Sequence, residues 1–401
     1  MMHSLKKTPP LYSRPAPLKL GRWFYSLIII ISLSVIIMRM FGGYIKSHDF
    51  WLIALGIPVS CWFIVGTAYV VIWMLKDIKA SGYNRQREKW ILSETRKSRR
   101  ALQVLSTSLI SGHNLKDKND ILNSLIKNKG IISSQQDRVG NEGVRLSRIP
   151  DSNDSLTEVI LNIFQKLIEK LPLDYIPDNT HLVIALDTSS IISQQNINEL
   201  WLQSWGEFGS LHSFNLIESK GLGILDHWLN TRIKENSLLL VVALQVAPIN
   251  ADNSAEAAVA LLLGNRLTQE SISPQALLHR PDPSPVEELE SGMLMAAYNV
   301  PIKDGIVKHL WLSGLNDQQH AAVVIHQKKP PAQAVEGEAV INLDSSMGHA
   351  GAAAPWLAIA AAAEHAQQTL SPQMIICGDT SQDVLWCTLV TPTASRQEMD
   401  S

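Results

Sequence analysis

VINLDSSMGHAGAAAPWLAIAAAAEHA, residues 340–366, is the stretch that decides how this chain is read. A β-branched strand at Val340–Leu343 runs into polar residues, Gly348 and His349 follow, and an alanine-rich helix over 350–366 closes the unit. Glycine lets two backbones approach closely, and small helix residues permit tight packing beside the turn, so this spacing sets an imidazole at a helix start.

Working back from it, the pattern alternates. Leu156 to Leu171 reads as a helix closed by Pro172. Strands are expected at His181–Leu186, Phe214–Glu218, Leu238–Val246 and Ala257–Leu263, with helices at Ile197–Trp205 and Leu222–Lys234 between them. After the prolines at 281, 283 and 285 come a helix at Val286–Tyr298, a strand at Val307–Leu312, an ambiguous segment at Asp317–Ile325, the opening stretch, and strands at Met374–Cys377 and Val384–Val390. The second half nearly repeats the first as a duplicated β-α-β-α-β-β order. Near-continuous apolar strands alternating with helices predict a buried sheet covered on both faces, a layered α/β class.

The amino-terminal part is different. Residues 1–22 carry Lys6, Lys7, Arg14, Lys19 and Arg22 and no acid; Trp23–Met38 and Phe50–Leu75 are then uncharged runs. A bilayer core takes about 20 apolar helical residues, so 23–75 predicts two transmembrane helices, with Arg39 snorkelling at an interface and Pro58 a kink. Basic flanks before Trp23 and over Lys76–Arg100 place both termini in the cytoplasm of a bacterial inner membrane, with Phe41–Asp49 as the outer turn. Residues 76–130 are expected to be a juxtamembrane helical region whose basic part lies near lipid, 131–154 a linker, and 155–395 the α/β domain. A net charge of −2 argues against a nucleic-acid binder, and three cysteines make no disulfide framework.

Gly348-His349 followed by paired alanines resembles the corresponding segment of the β-ketoacyl synthases and related thiolase-fold enzymes, and the element order extends that resemblance over residues 180–392. In that family such a histidine polarises the substrate carbonyl, which makes His349 the inherited position. The resemblance also implies a nucleophilic cysteine at the start of the helix preceding the third strand. Here that region, NLIESKGLGIL at 215–225, has none. Ser219 stands nearby, but a serine needs a positioned base and an oxyanion hole. The family's second histidine falls at Leu312–Asn316, where none is found, although His309 and His320 flank the place. Cys377, with Cys387 in CGDTSQDVLWC, occupies a closing segment where some thiolases carry a catalytic cysteine. His349 and Cys377 are therefore the vestigial candidates, and no catalytic, cofactor or metal site is expected.

Phosphate-loop, dinucleotide, zincin, C-x-x-C and nucleophile-elbow motifs are absent. Asp187-Thr188-Ser189-Ser190, after the first strand of the domain, either lines a ligand crevice or caps the next helix. The overall plan resembles the lipase adaptor proteins of type VI secretion. That implies a non-catalytic membrane-tethered domain receiving a protein partner, an effector or secretion component. The alternative is a membrane-associated acyl-binding or condensing enzyme of the thiolase superfamily.

Overall fold

The computed structural model describes residues 8–41, 47–113, 118–151, 155–209, 212–298, 300, 302, 305–379 and 384–393. Lys6, Lys7, most of the turn expected at 41–49, and the loop residues 380–383 lie outside these. The chain divides into two compact units, one ending at Thr95 and one beginning at Arg96.

The first unit holds α1 (Leu20–Phe41), the short α2 (Ser47–Trp51), one π turn, and the long α3 (Ile57–Ser98). Both long helices are apolar and long enough to cross a membrane. At about 1.5 Å per residue α1 is about 33 Å long, close to a hydrocarbon core of about 30 Å. Trp62 Nε1 donates to Ser26 Oγ across the hairpin at 3.2 Å, and Trp23 packs on Trp62 and Tyr69. Pro58 directly follows the π turn Leu52–Gly56 inside one continuous helical run from Asp49 to Ser98; a proline removes an intrahelical donor, and a local irregularity of this kind accompanies it. Ahead of α1 the chain is extended along α3: Asn84 exchanges two hydrogen bonds with the Tyr12 backbone, and Trp73 donates to the Ala16 carbonyl. The segment before α1 therefore lies beside the part of α3 beyond Trp73, which is the geometry of a hairpin with both ends on one side.

The region expected to be helical over 76–130 is helix to Ser98 and again over 118–126, with a strand between. At Ala101 the chain enters β1 (Ala101–Ser111), a strand buried along nearly its whole length. Leu102, Leu105 and Leu109 are spaced by three and four residues, which imitates a helix. The alternation is hidden because both faces are buried, hydroxyls of Ser106, Thr107 and Ser108 replace apolar groups, and the register shifts between Val104 and Ser106. Helix α4 (Lys118–Ile126) follows. The expected linker contains β2 (Ser133–Gln135) and β3 (Val144–Ser147). The domain consequently starts near residue 96, not at 155.

Helix α5 (Leu156–Ile168), β4 (His181–Ser189), α6 (Gln194–Phe208), β5 (Phe214–Glu218), α7 (Gly223–Thr231) and β6 (Ser237–Gln245) come next, then β7 (Ser254–Ala255) and β8 (Ala257–Asn265). The second half has β9 (Ala276–His279), β10 (Asp282–Ser284), α8 (Leu289–Tyr298), β11 (His309–Ser313), α9 (Asp317–His326), β12 (Val340–Asn342), α10 (Leu343–Met347), α11 (Ala354–Thr369), β13 (Gln373–Gly378) and β14 (Leu385–Pro392). Their sheet order is β12-β11-β13-β14-β9-β1-β8-β6-β4-β5. Taken from each outer edge inward, the two halves are the same: three parallel strands, then two antiparallel ones, meeting where β1 pairs antiparallel with β9. The repeat is thus one strand and one helix longer than the expected order, because β1 and β9 open the two halves. Asp317–Ile325 resolves as helix, since Asn316 and Gln319 form a reciprocal capping box.

Three apolar clusters fill the layers. One packs α5 and α6 on the first half, one packs α8 and α9 on the second, and the central one encloses α7 and α11. Below them the small sheet β2-β3-β7 is tied on by a buried ion pair, Arg138 with Glu256, at 2.7 and 2.8 Å. Glu256 also accepts from the Ile149 and Ala247 amides.

Because β1 stands between β8 and β9, a chain beginning at Ser155 should aggregate, whereas one beginning at Arg96 should give a single cooperative melt by circular dichroism. In the latter, Glu256→Ala should cost about 3–5 kcal/mol by leaving Arg138 charged and unpaired.

Candidate functional site

Ligands of open α/β sheets gather at the carboxyl ends of parallel strands. Here those ends, from both halves, face the starts of α7 and α11. Asp187 lies near the end of β4, Asp379 follows β13, and Gly221 precedes α7, around a cavity of about 10 Å3, room for roughly one water. Asp187 Oδ2 accepts from the Gly221 amide at 2.8 Å and from Trp356 Nε1 at 2.9 Å. Asp379 Oδ2 accepts from Trp386 Nε1 at 2.9 Å. Two indoles from the second half thus fill the centre, each held by a carboxylate. Burial raises the Asp187 carboxyl from the usual 3.8 to about 6; the bonds from Trp356 and Gly221 oppose this, and the neighbouring Asp379 adds to it.

The position at the head of α7 that would offer a side chain to this cavity is Gly221. Its φ is +60°, and a Cβ there would stand 3.5 Å from Asp379 Oδ2. It carries no nucleophile. Ser219, two residues earlier, is 9% exposed, and its Oγ has no hydrogen-bond partner.

His349 is held by its backbone rather than its ring. Its N–H donates to the Asn253 carbonyl, and its own carbonyl accepts from Ala255 N–H at 2.9 Å and Gln245 Nε2 at 2.6 Å. Gly348 makes this possible: its φ is +97°, and a Cβ would meet the Ser254 carbonyl at 2.6 Å. The imidazole is 55% exposed, with Nδ1 3.7 Å from Asp344 Oδ1. Asp344 itself is committed elsewhere, accepting from the Gly314 and Leu315 amides. Burial pushes its proton affinity up, and those two amides pull against that. They belong to the very loop, Leu312–Asn316, that was aligned with the family's second histidine, so its donors are already occupied.

Cys377 is fully buried on β13 with Sγ 3.8 Å from the Trp386 carbonyl, and burial drives its thiol far up from the ordinary range. A thiol held so firmly protonated is a poor nucleophile. His309 lies at the opposite end of β11, its ring against His365; burial, helped by the positive charge of His365 and Lys308, lowers it to about 4. His320 Nε2 is 3.0 Å from Asn342 Nδ2 on the flank. His309 thus stands apart, while His349, His320 and Cys377 all lie within electrostatic reach of Asp344, and no hydrogen bond among the described residues joins the three to one another. Among the described residues, no cluster of three or more His, Cys, Asp or Glu could hold a metal.

Sequence reasoning singled out Asp187 but missed Asp379, Trp356, Trp386 and Gly221. The repeat gave no signal for them, because the counterpart of β13 is β6 and that of β4 is β11, so Asp187 and Asp379 do not stand at equivalent places.

No family model and no curated protein matches this sequence. Solved structures do match. The ishigamide ketosynthase/chain length factor is 12% identical with a TM-score of 0.53, over 73% of this chain and 100% of that one. The PfaC keto synthase-chain length factor is 9% identical with a TM-score of 0.52 over 74% of this chain. The domain has a thiolase-like fold. This chain spans 43% of the PfaC chain. At these identities the likeness is one of fold, and in this thiolase-like domain the chemistry rests on the residues described above.

Since the folded carboxyl of Asp187 binds its proton more tightly than the unfolded one, its contribution to stability is greatest below about pH 4 and is lost as pH rises through about 6. Urea melts of wild type and Asp187→Asn should therefore diverge by up to about 3 kcal/mol between these limits, the wild type being relatively weaker at neutral pH. His349→Ala, removing an exposed ring, should cost less than about 1 kcal/mol.

Proposed function

We propose that this protein is a membrane-anchored, non-condensing binding protein, whose thiolase-like domain holds a partner protein on the cytoplasmic side of a bacterial inner membrane. The observation that carries the reading is Gly221. The head of α7 has no nucleophile, the space before it shrinks to about 10 Å3 beside Trp386, and Trp356 holds the Asp187 carboxylate that the Gly221 amide also binds. A substrate carbonyl would find neither a thiolate nor room. Hairpin geometry in the first unit, with basic residues on both flanks, supports the cytoplasmic orientation. The likeness of plan to type VI secretion lipase adaptors makes a lipase effector the partner class to try first.

The competing reading, an acyl-binding or condensing enzyme, is separable by experiment. The purified full chain should release no coenzyme A from acetyl and malonyl thioesters, and iodoacetamide should leave Cys377 unmodified until the protein is denatured. Acyl transfer abolished by both Cys377→Ala and His349→Ala would restore the enzyme. For orientation, an alkaline phosphatase fusion at the carboxyl end should be inactive, because that enzyme matures only outside the reducing cytoplasm. Co-expression with a type VI phospholipase effector should copurify it; recovery equal to that from a chain ending at Thr95 would count against the domain as the receiver.

A further inference from the structure

The large sheet ends in two edge strands, β12 in the second half and β5 in the first, and the chain treats them differently. An edge strand presents a row of unpaired N–H and C=O groups, a template for a further strand. On β12 that row is closed. Asn128 lies across it, its Nδ2 donating to the Val340 carbonyl at 3.1 Å and its Oδ1 accepting from the Asn342 amide at 3.0 Å, so one carboxamide takes the place that a residue of a neighbouring strand would fill.

On β5 the row is open. Leu182 N–H donates to the Ser213 carbonyl and Ser219 N–H to the Leu186 carbonyl. Along the parallel β4–β5 ladder the odd-numbered residues of this stretch therefore bond to β4, and the backbone groups of Phe214, Leu216 and Glu218 point away from the sheet. Strand β5 carries no proline, lysine or bulge, each of which blunts an edge. One of its faces is uncovered as well: Phe214 and Leu216 pack on the α5–α6 cluster, while on the opposite face Asn215 is exposed and Ile217 is 37% exposed. Beyond Glu218 the edge opens on a cleft of about 660 Å3, bounded by Glu218–Lys220 and by two exposed isoleucines, Ile191 and Ile249.

A row of backbone groups is met by an extended segment, bonded through its main chain and selected by the side chains it sets in adjoining pockets. A second copy of β5 is a poor match. About a two-fold at Leu216, the register that overlaps the whole strand, each Glu218 would face a Phe214 and each Ile217 an Asn215, whereas cross-strand pairs are favourable when apolar meets apolar or charge meets opposite charge.

We propose that the partner protein is held by strand addition: an extended segment of it pairs with β5, with an apolar side chain beside Ile217, a basic one beside Glu218, and an apolar residue seated in the cleft between Ile191 and Ile249. The inference deepens the partner-holding reading and rests on it.

Amide exchange at Phe214, Leu216 and Glu218 is followed by mass spectrometry in the full chain in maltoside micelles, alone, with a co-expressed type VI phospholipase effector, and with a short blocked peptide alternating valine and threonine and ending in lysine. Either probe should slow exchange at these amides by about tenfold, as newly bonded edge groups do. Glu218→Pro, which removes an N–H that no sheet bond uses, should abolish the protection at Phe214 and Leu216 together with the copurification. Glu218→Ala keeps that N–H and should weaken binding by about fivefold at most, the worth of an exposed charge pair. Thermal melts check that both variants keep the fold. Peptide protection at β5 without recovery of the effector would uphold the edge as a strand receiver and set that effector aside. An effector held equally by wild type and Glu218→Pro, with these amides exchanging freely, would overturn the proposal and leave the partner-holding reading in place. Free exchange with both probes would also overturn it, as would protection that grows with the concentration of the chain alone, which assigns the edge to a second copy.

Discussion

Helix α11 has no side that faces water, and the domain is organised around that fact. From Ala354 to Ala366 every residue is buried, enclosed by second-half strands β13 and β14 and by first-half strands β8 and β1. A helix enclosed in this way needs side chains small enough for two layers to close on it, which accounts for the run of alanines. The exceptions are placed where a polar atom can be met. Trp356 sends its indole N–H to Asp187, and Glu364 accepts from Thr107 on β1 at 2.7 Å. Those contacts fix the helix along and across its axis.

The same enclosure shapes the candidate site. Because α11 and α7 start at the carboxyl ends of the parallel strands, their first turns gather groups from both halves of the repeat. In this chain the gathered groups are occupied by one another: carboxylate with indole, carboxylate with backbone amide, amide side chain with the His349 carbonyl. Buried polar groups cost free energy unless paired. Here the buried donors and acceptors meet one another, and the cavity left between them is about 10 Å3.

Much of the fold was legible. Strands β4, β6, β8, β11, β13 and β14 are apolar runs bounded by turns, and the duplicated order could be read from their spacing. His349 was correctly assigned to a turn before the alanine helix, yet its ring faces outward and its backbone does the holding. What misled was β1. Its leucines fall at helical spacing, and a strand buried on both faces shows no alternation. The short strands β9 and β10 also passed unread, since four or three residues carry no period, and Pro283 within β10 speaks against a strand.

Local chemistry is what the sequence by itself determined: two apolar helices, an alternating α/β body, a Gly-His turn, and no cysteine where α7 begins. These follow from propensity, periodicity and glycine stereochemistry, which act over a few residues. Only the tertiary structure decided that β1 belongs to the sheet centre, that Asp187 and Asp379 converge from residues 192 positions apart in the chain, and that indoles stop the space between them. Those outcomes depend on which distant segments pack together, and packing is selected by shape and by pairing of buried polar groups, neither of which leaves a repeating mark in the chain.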